Sequence, residues 1–101
     1  MTNIEKVRAW LDAGKQVGKS ILRAEAGEEY YVAVGIQKWN GIYKLYTDRV
    51  KVAEIYWEKE TEEIIEVEIF ENLAALVESK VSISLDELTP QKGSKVFNPA
   101  L

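Results

Sequence analysis

The sequence predicts a small α+β domain: an N-terminal helix, an antiparallel meander sheet of about five strands, a C-terminal helix and an irregular tail, with both helices packed on one sheet face. Three observations predict it. Apolar residues near the N-terminus recur at helical spacing. From Gln16 the period drops to two, and an Asn40-Gly41 pair joins two β-rich runs. The 101 residues are one domain's worth, with 91–101 as a docked tail. A chain of this size buries roughly 60–65% of its unfolded surface, enough for one core without metal or disulfide. Helices at both ends of an antiparallel run pack on a single face of the sheet.

Residues 3–13 read as the first helix. Ile4, Val7, Trp10 and Leu11 form one stripe, and Glu5, Lys6, Arg8 and Asp12 lie largely on the other side. Thr2 or Asn3 serves as the N-cap, and Gly14 is placed to end the helix. Trp10 suits packing against a sheet better than a role as a partner anchor.

Val17 to Ala24 reads as a strand, with Lys19 and Arg23 outward and Ile21 inward. Ala26-Gly27-Glu28 is a turn. Tyr30 to Lys38 is the strongest strand, since Tyr30, Val32, Val34 and Ile36 share a face. Asn40-Gly41 suits a two-residue type I′ turn, which needs positive φ at both positions. That turn sets Trp39 against Ile42, Lys38 against Tyr43, Ile36 against Leu45 and Val34 against Thr47. Val32, Val34, Ile36 and Leu45 then face the core. Gly35 falls opposite Tyr46, whose ring covers the bare backbone.

Asp48-Arg49 is expected to begin the next turn, with a further strand from Val50 to Glu58. Ile65 to Phe70 pairs with it through a Glu60–Glu63 turn. Residues 53–63 are good helix formers, but Ile65, Val67 and Ile69 alternate with Glu66 and Glu68 as a strand does. Glu71 to Lys80 reads as the second helix, with Phe70, Leu73, Ala74 and Val77 on its stripe and Val81 just beyond. Ser84 and Glu87 match a capping box, with Ile83 and Leu88 as its hydrophobic staple. Pro90 stops the short turn that follows. The tail carries Lys92 and Lys95, and Val96, Phe97 and Leu101 suggest that it docks on the body.

Composition excludes much chemistry. With no histidine and no cysteine, there is no imidazole base, no thiolate, no Ser-His or Cys-His nucleophile pair and no Cys/His zinc site. Glu66 and Glu68 could stand at a catalytic carboxylate spacing, but so could almost any two residues two apart on a strand. No calcium-loop pattern and no glycine-rich phosphate loop is present. The expectation is a protein with no catalytic residues, cofactor or metal. Met1 to Lys6 lack the basic and apolar regions of a signal peptide, and no apolar run approaches the roughly 18 residues of a membrane span, so a cytoplasmic location and no membrane contact are expected.

The charge is uneven. Residues 1–50 balance to +2 and residues 51–101 to −6, within a net charge of −4. Seven of the fourteen residues from Glu58 to Glu71 are glutamates. Ile64, Ile65, Val67, Ile69 and Phe70 thread through this run, so folding it should bury these side chains and leave a row of carboxylates in water. Such a row either solvates and protects an edge or docks a cationic partner. Repulsion among so many like charges weighs against a plain solubility role.

The expected function is therefore a small acidic protein-binding module, in its most concrete form an inhibitor or immunity-type protein that occupies a basic partner surface. Small acidic α+β proteins that neutralise a toxin or nuclease share its size and charge, though no motif carries the likeness. Glu60, Glu62, Glu63, Glu66 and Glu68 would steer the encounter, and Trp57, Trp39 and Tyr46 would anchor it. The alternative is a single-stranded nucleic-acid or small-ligand binder that stacks its ligand on an aromatic sheet face near Lys38, Lys44 and Lys51. The acidic balance opposes nucleic acid. A homodimer through a sheet face or edge is a third reading.

Overall fold

The computed structural model describes residues 3–51 and 60–90, together with Phe97 and Pro99. Thr2, the expected strand beyond Lys51, Trp57 and the rest of the tail lie outside the described residues.

Helix α1 spans Asn3–Asp12 and buries Val7 and Leu11. It ends where glycine allows. Gly14 takes φ +82°, its amide bonds the Leu11 carbonyl at 3.0 Å, and the Lys15 amide reaches Trp10 at 2.9 Å. Trp10 packs against the core, as its place on the stripe implies.

Five strands follow: β1 Val17–Glu25, β2 Glu28–Trp39, β3 Ile42–Lys51, β4 Glu60–Val67 and β5 Thr89–Pro90. They form one antiparallel sheet in the order β4-β3-β2-β1-β5. The Asn40-Gly41 turn has φ of 52° and 82°, the signs that a type I′ turn requires. Its register runs unbroken from Trp39↔Ile42 to Tyr30↔Lys51 and includes all four expected pairs and Gly35↔Tyr46.

The middle of the chain differs from expectation. Asp48 and Arg49 do not turn, because β3 continues to Lys51. Glu60 to Glu63 are not a turn either. They are the first half of β4, paired with Val50, Arg49, Asp48 and Thr47. β4 stops at Val67, short of Phe70, and Ile69 is exposed. A strand's pairing, which supplies a backbone partner for every second residue, overrides the poor strand propensity of glutamate.

Helix α2 spans Glu71–Val81 and buries Leu73, Val77 and Val81. Ser82 closes it in the left-handed conformation, φ 54°, its amide bonded to Glu78. The capping box then starts a single 3₁₀ turn, Leu85–Glu87, in which a Glu87 carboxylate oxygen accepts the Ser84 amide at 2.9 Å. Pro90 does more than stop this turn. Thr89 and Pro90 pair with Gly18 and Val17 at the β1 edge of the sheet, where proline's missing N–H is tolerated.

Both helices and the 3₁₀ turn pack on one sheet face. Val34, Ile36 and Leu45 are fully buried there with Leu11, Leu73, Val77 and Leu88, each such side chain contributing about 1.5–3 kcal/mol. Lys19, Ile21 and Arg23 share this same face, since residues two apart on a strand point the same way. Lys19 and Arg23 reach past the core to the 3₁₀ turn and to the end of α2. Lys19 pairs with Glu87 at 3.0 Å, and Arg23 donates to the carbonyls of Val81 and Ser82.

Candidate functional site

Alternation along β4 decides where its carboxylates go. Glu63, Ile65 and Val67 fall on the helix-covered side, and Val67 is buried. Glu62, Ile64 and Glu66 fall on the opposite face, in register with Asp48, Tyr46 and Lys44. The expected single acidic row is therefore split. Glu63 pairs with Lys80 of α2 at 3.0 Å, and Glu66 pairs with Lys44 at 2.7 Å. Glu62 accepts the Tyr46 hydroxyl at 3.1 Å. Glu68 lies beyond the strand end and is exposed. No lysine or arginine among the described residues pairs with Glu62 or Glu68. Glu60 is placed as a strand position opposite Val50, and Trp57 lies outside the described residues.

Asp48 adds a charge that sequence reasoning missed. It stands directly across from Glu62. Burial is the main cause that raises its carboxyl above the ordinary aspartate range, and the Glu62 charge adds to it. A hydrogen bond from the Arg49 amide and one from Tyr46 partly offset both. One of its oxygens, Oδ1, is buried without a hydrogen-bond partner. The parity of Tyr46 and Asp48 would have revealed this, had the strand been carried past Thr47.

The rest of this face is not the open aromatic platform expected. Tyr46 is only 9% exposed, because Phe97 from the tail stacks on it with ring centroids 5.3 Å apart and planes within 6°. Phe97 is fixed there by its backbone as well as by its ring. Gln16 holds it: its Nε2 donates to the Phe97 carbonyl at 3.0 Å, and its Oε1 accepts the Phe97 amide at 3.3 Å. The same Nε2 also donates to Gln37 at 2.9 Å. Both glutamines are buried, so this network meets the requirement that buried polar atoms be paired. Gly18 and Gly35 are direct partners and leave no side chain on this face beside Tyr46. Exposed aromatics remain at Trp39, 37%, and Tyr31, 43%, the latter opposite the exposed Leu22.

On the far side of the molecule, a groove of about 320 Å³ runs between the helices, lined by Ile4, Arg8, Phe70, Ala74 and Leu85 among others. The Arg8 guanidinium sits 5.0 Å over the Phe70 ring and 3.3 Å from Glu71. Its lining is mainly apolar, with Glu5 and Glu71 as its acids and Arg8 as its base. Among the described residues, no group of three or more acids is placed to hold a metal ion. No helix among them is long and apolar enough to cross a membrane.

No family model, curated protein or solved structure matches the chain. The geometry alone therefore carries the functional reading.

Proposed function

We propose that this chain is a non-catalytic, cytoplasmic protein-binding module that docks a basic partner surface, most concretely as an inhibitor or immunity-type protein. One observation carries the reading: the sheet ends in an acidic strand whose Glu62, together with Glu68 just beyond it, is exposed and unmatched by any described lysine or arginine. Such carboxylates steer a cationic partner and suppress anionic ones. Trp39, exposed beside the Asn40-Gly41 turn, supplies an aromatic anchor of the kind that dominates interface energetics. Tyr46 is withdrawn from that role by Phe97 and instead supports Glu62 through its hydroxyl.

The test begins with capture of the partner from the native host and measurement of its association with the purified chain. Replacing Glu62, Glu66 and Glu68 together by glutamine should slow association by about tenfold or more at low salt and much less at high salt. An unchanged association rate at low salt would overturn electrostatic docking. If the partner is an enzyme, its activity should fall on adding the chain and recover with the triple variant.

A further inference from the structure

β4 is the last strand of the sheet on its side, and the register shows which of its backbone groups are unused. A two-residue turn makes Trp39 and Ile42 a mutually hydrogen-bonded pair. No bulge interrupts the two registers that follow, so even-numbered residues of β3 bond to β2 and odd-numbered ones bond to β4. Glu63, Ile65 and Val67 therefore spend their backbone groups on β3. Glu62, Ile64 and Glu66 turn their N–H and C=O groups outward, with no strand beyond them among the described residues. The other side of the sheet is less open. β5 pairs with Val17 and Gly18, and Lys19 and Arg23 are engaged with the 3₁₀ turn and the end of α2.

We propose that the outer edge of β4 accepts an extended basic segment of the partner as a sixth strand. The inference rests on the basic-partner reading above and specifies how that partner is held. Main-chain bonds to Glu62, Ile64 and Glu66 give the affinity, and the side chains that alternate with them give the selectivity. An antiparallel segment places lysine or arginine opposite Glu62 and Glu66 and an apolar residue opposite Ile64, which is 36% exposed. On the other face it sets a basic or polar residue opposite Glu63.

The same charges exclude a second copy of this chain. Antiparallel β4–β4 pairing centred on Ile64 sets Glu62 against Glu66 twice. Centring on Glu62 or Glu66 sets identical carboxylates face to face. Like charges directly opposite destabilise a strand pair, so the edge is protected against self-association while remaining open to a cationic strand.

A synthetic peptide with the core Lys-Thr-Val-Lys-Lys, written to run antiparallel from Glu66 to Glu62, is the probe. It is titrated at low ionic strength into the isotope-labelled full chain. Binding should add exchange protection to the amides of Glu62, Ile64 and Glu66 and change Glu63 and Ile65 least. N-methylation of the peptide residues opposite Glu62, Ile64 and Glu66 should weaken binding by about tenfold or more, since it removes main-chain bonds at unchanged charge. Methylation of the intervening residues should not. Equal binding by the two methylated peptides, or binding without new protection, overturns strand addition and leaves the acidic-surface reading standing. Absence of binding by the unmodified peptide also overturns it, and the basic-partner reading is then judged by the captured partner alone.

Discussion

Asp48 and Glu62 face each other across β3 and β4, two carboxylates in direct register with the Tyr46 hydroxyl bonded to Glu62. Asp48 is the strained member, because burial raises its carboxyl and leaves one oxygen unpartnered. A carboxyl whose folded pKa lies above its unfolded value favours folding when protonated. Its stabilising contribution grows as pH falls through the folded pKa and is complete below the unfolded value.

Glu28 and Glu87 act in the opposite sense. Lys51 lowers Glu28 chiefly through a hydrogen bond, and the Ser84 amide, followed by Lys19, lowers Glu87. Their contributions are present above the unfolded glutamate range and are lost as pH falls through the lowered folded values. Thermal unfolding of the wild type should therefore show stability that holds or rises on mild acidification and then declines. Asp48→Asn should be more stable than wild type at neutral pH, by about 0.5–1 kcal/mol. The difference should vanish on acidification. A variant less stable at neutral pH would show that the pair is not repulsive.

The hairpin turn makes a second prediction. Gly41 has φ +82°, and nothing lies within 4 Å of where a Cβ would stand. Gly41→Ala should cost about 1–2 kcal/mol in chemical denaturation, from backbone strain alone. A neutral effect would mean that the turn relaxes to another type.

The packing of Phe97 should be worth a comparable amount. Phe97→Ala removes the ring stacked on Tyr46 and should cost about 2 kcal/mol. Gln16→Ala leaves the Phe97 amide and carbonyl without their partner and should cost about 1–3 kcal/mol. Because both act on one contact, the double variant should cost less than the two singles together. Full additivity would show that the glutamine and the ring stabilise the fold independently.

The Glu63–Lys80 pair should contribute little. Both side chains are largely solvated, at 44% and 38% exposure, and Lys80→Ala should change stability by less than about 0.5 kcal/mol. A larger loss by urea denaturation would give this bridge a structural role in joining α2 to β4.

Most of the architecture was legible in the sequence, and for local reasons. Asn40-Gly41 admits few backbone conformations, so the β2–β3 register followed residue by residue. The end of α1 followed from Gly14, and the 3₁₀ turn followed from Ser84 and Glu87. β4 was harder to read because Glu60 to Glu63 carry no apolar alternation, and their extension comes from pairing with β3. That misplacement hid the division of the glutamates between two faces and hid Asp48 altogether. The position of Phe97 could not be read from the sequence. Its seat depends on Gln16, Gly18, Gly35 and Tyr46, which meet only after the strands have paired.

The pairing of Val17 with Pro90 bears on how the molecule is made. Strands β1 to β4 are neighbours in the order in which they leave the ribosome, so this ribbon can assemble progressively during synthesis. The segment that flanks β1, and the aromatic ring that closes over Tyr46, emerge only after β4. Until they arrive, the nascent chain presents an unfinished border and an uncovered glycine-lined strip, the two places where a chaperone would find purchase.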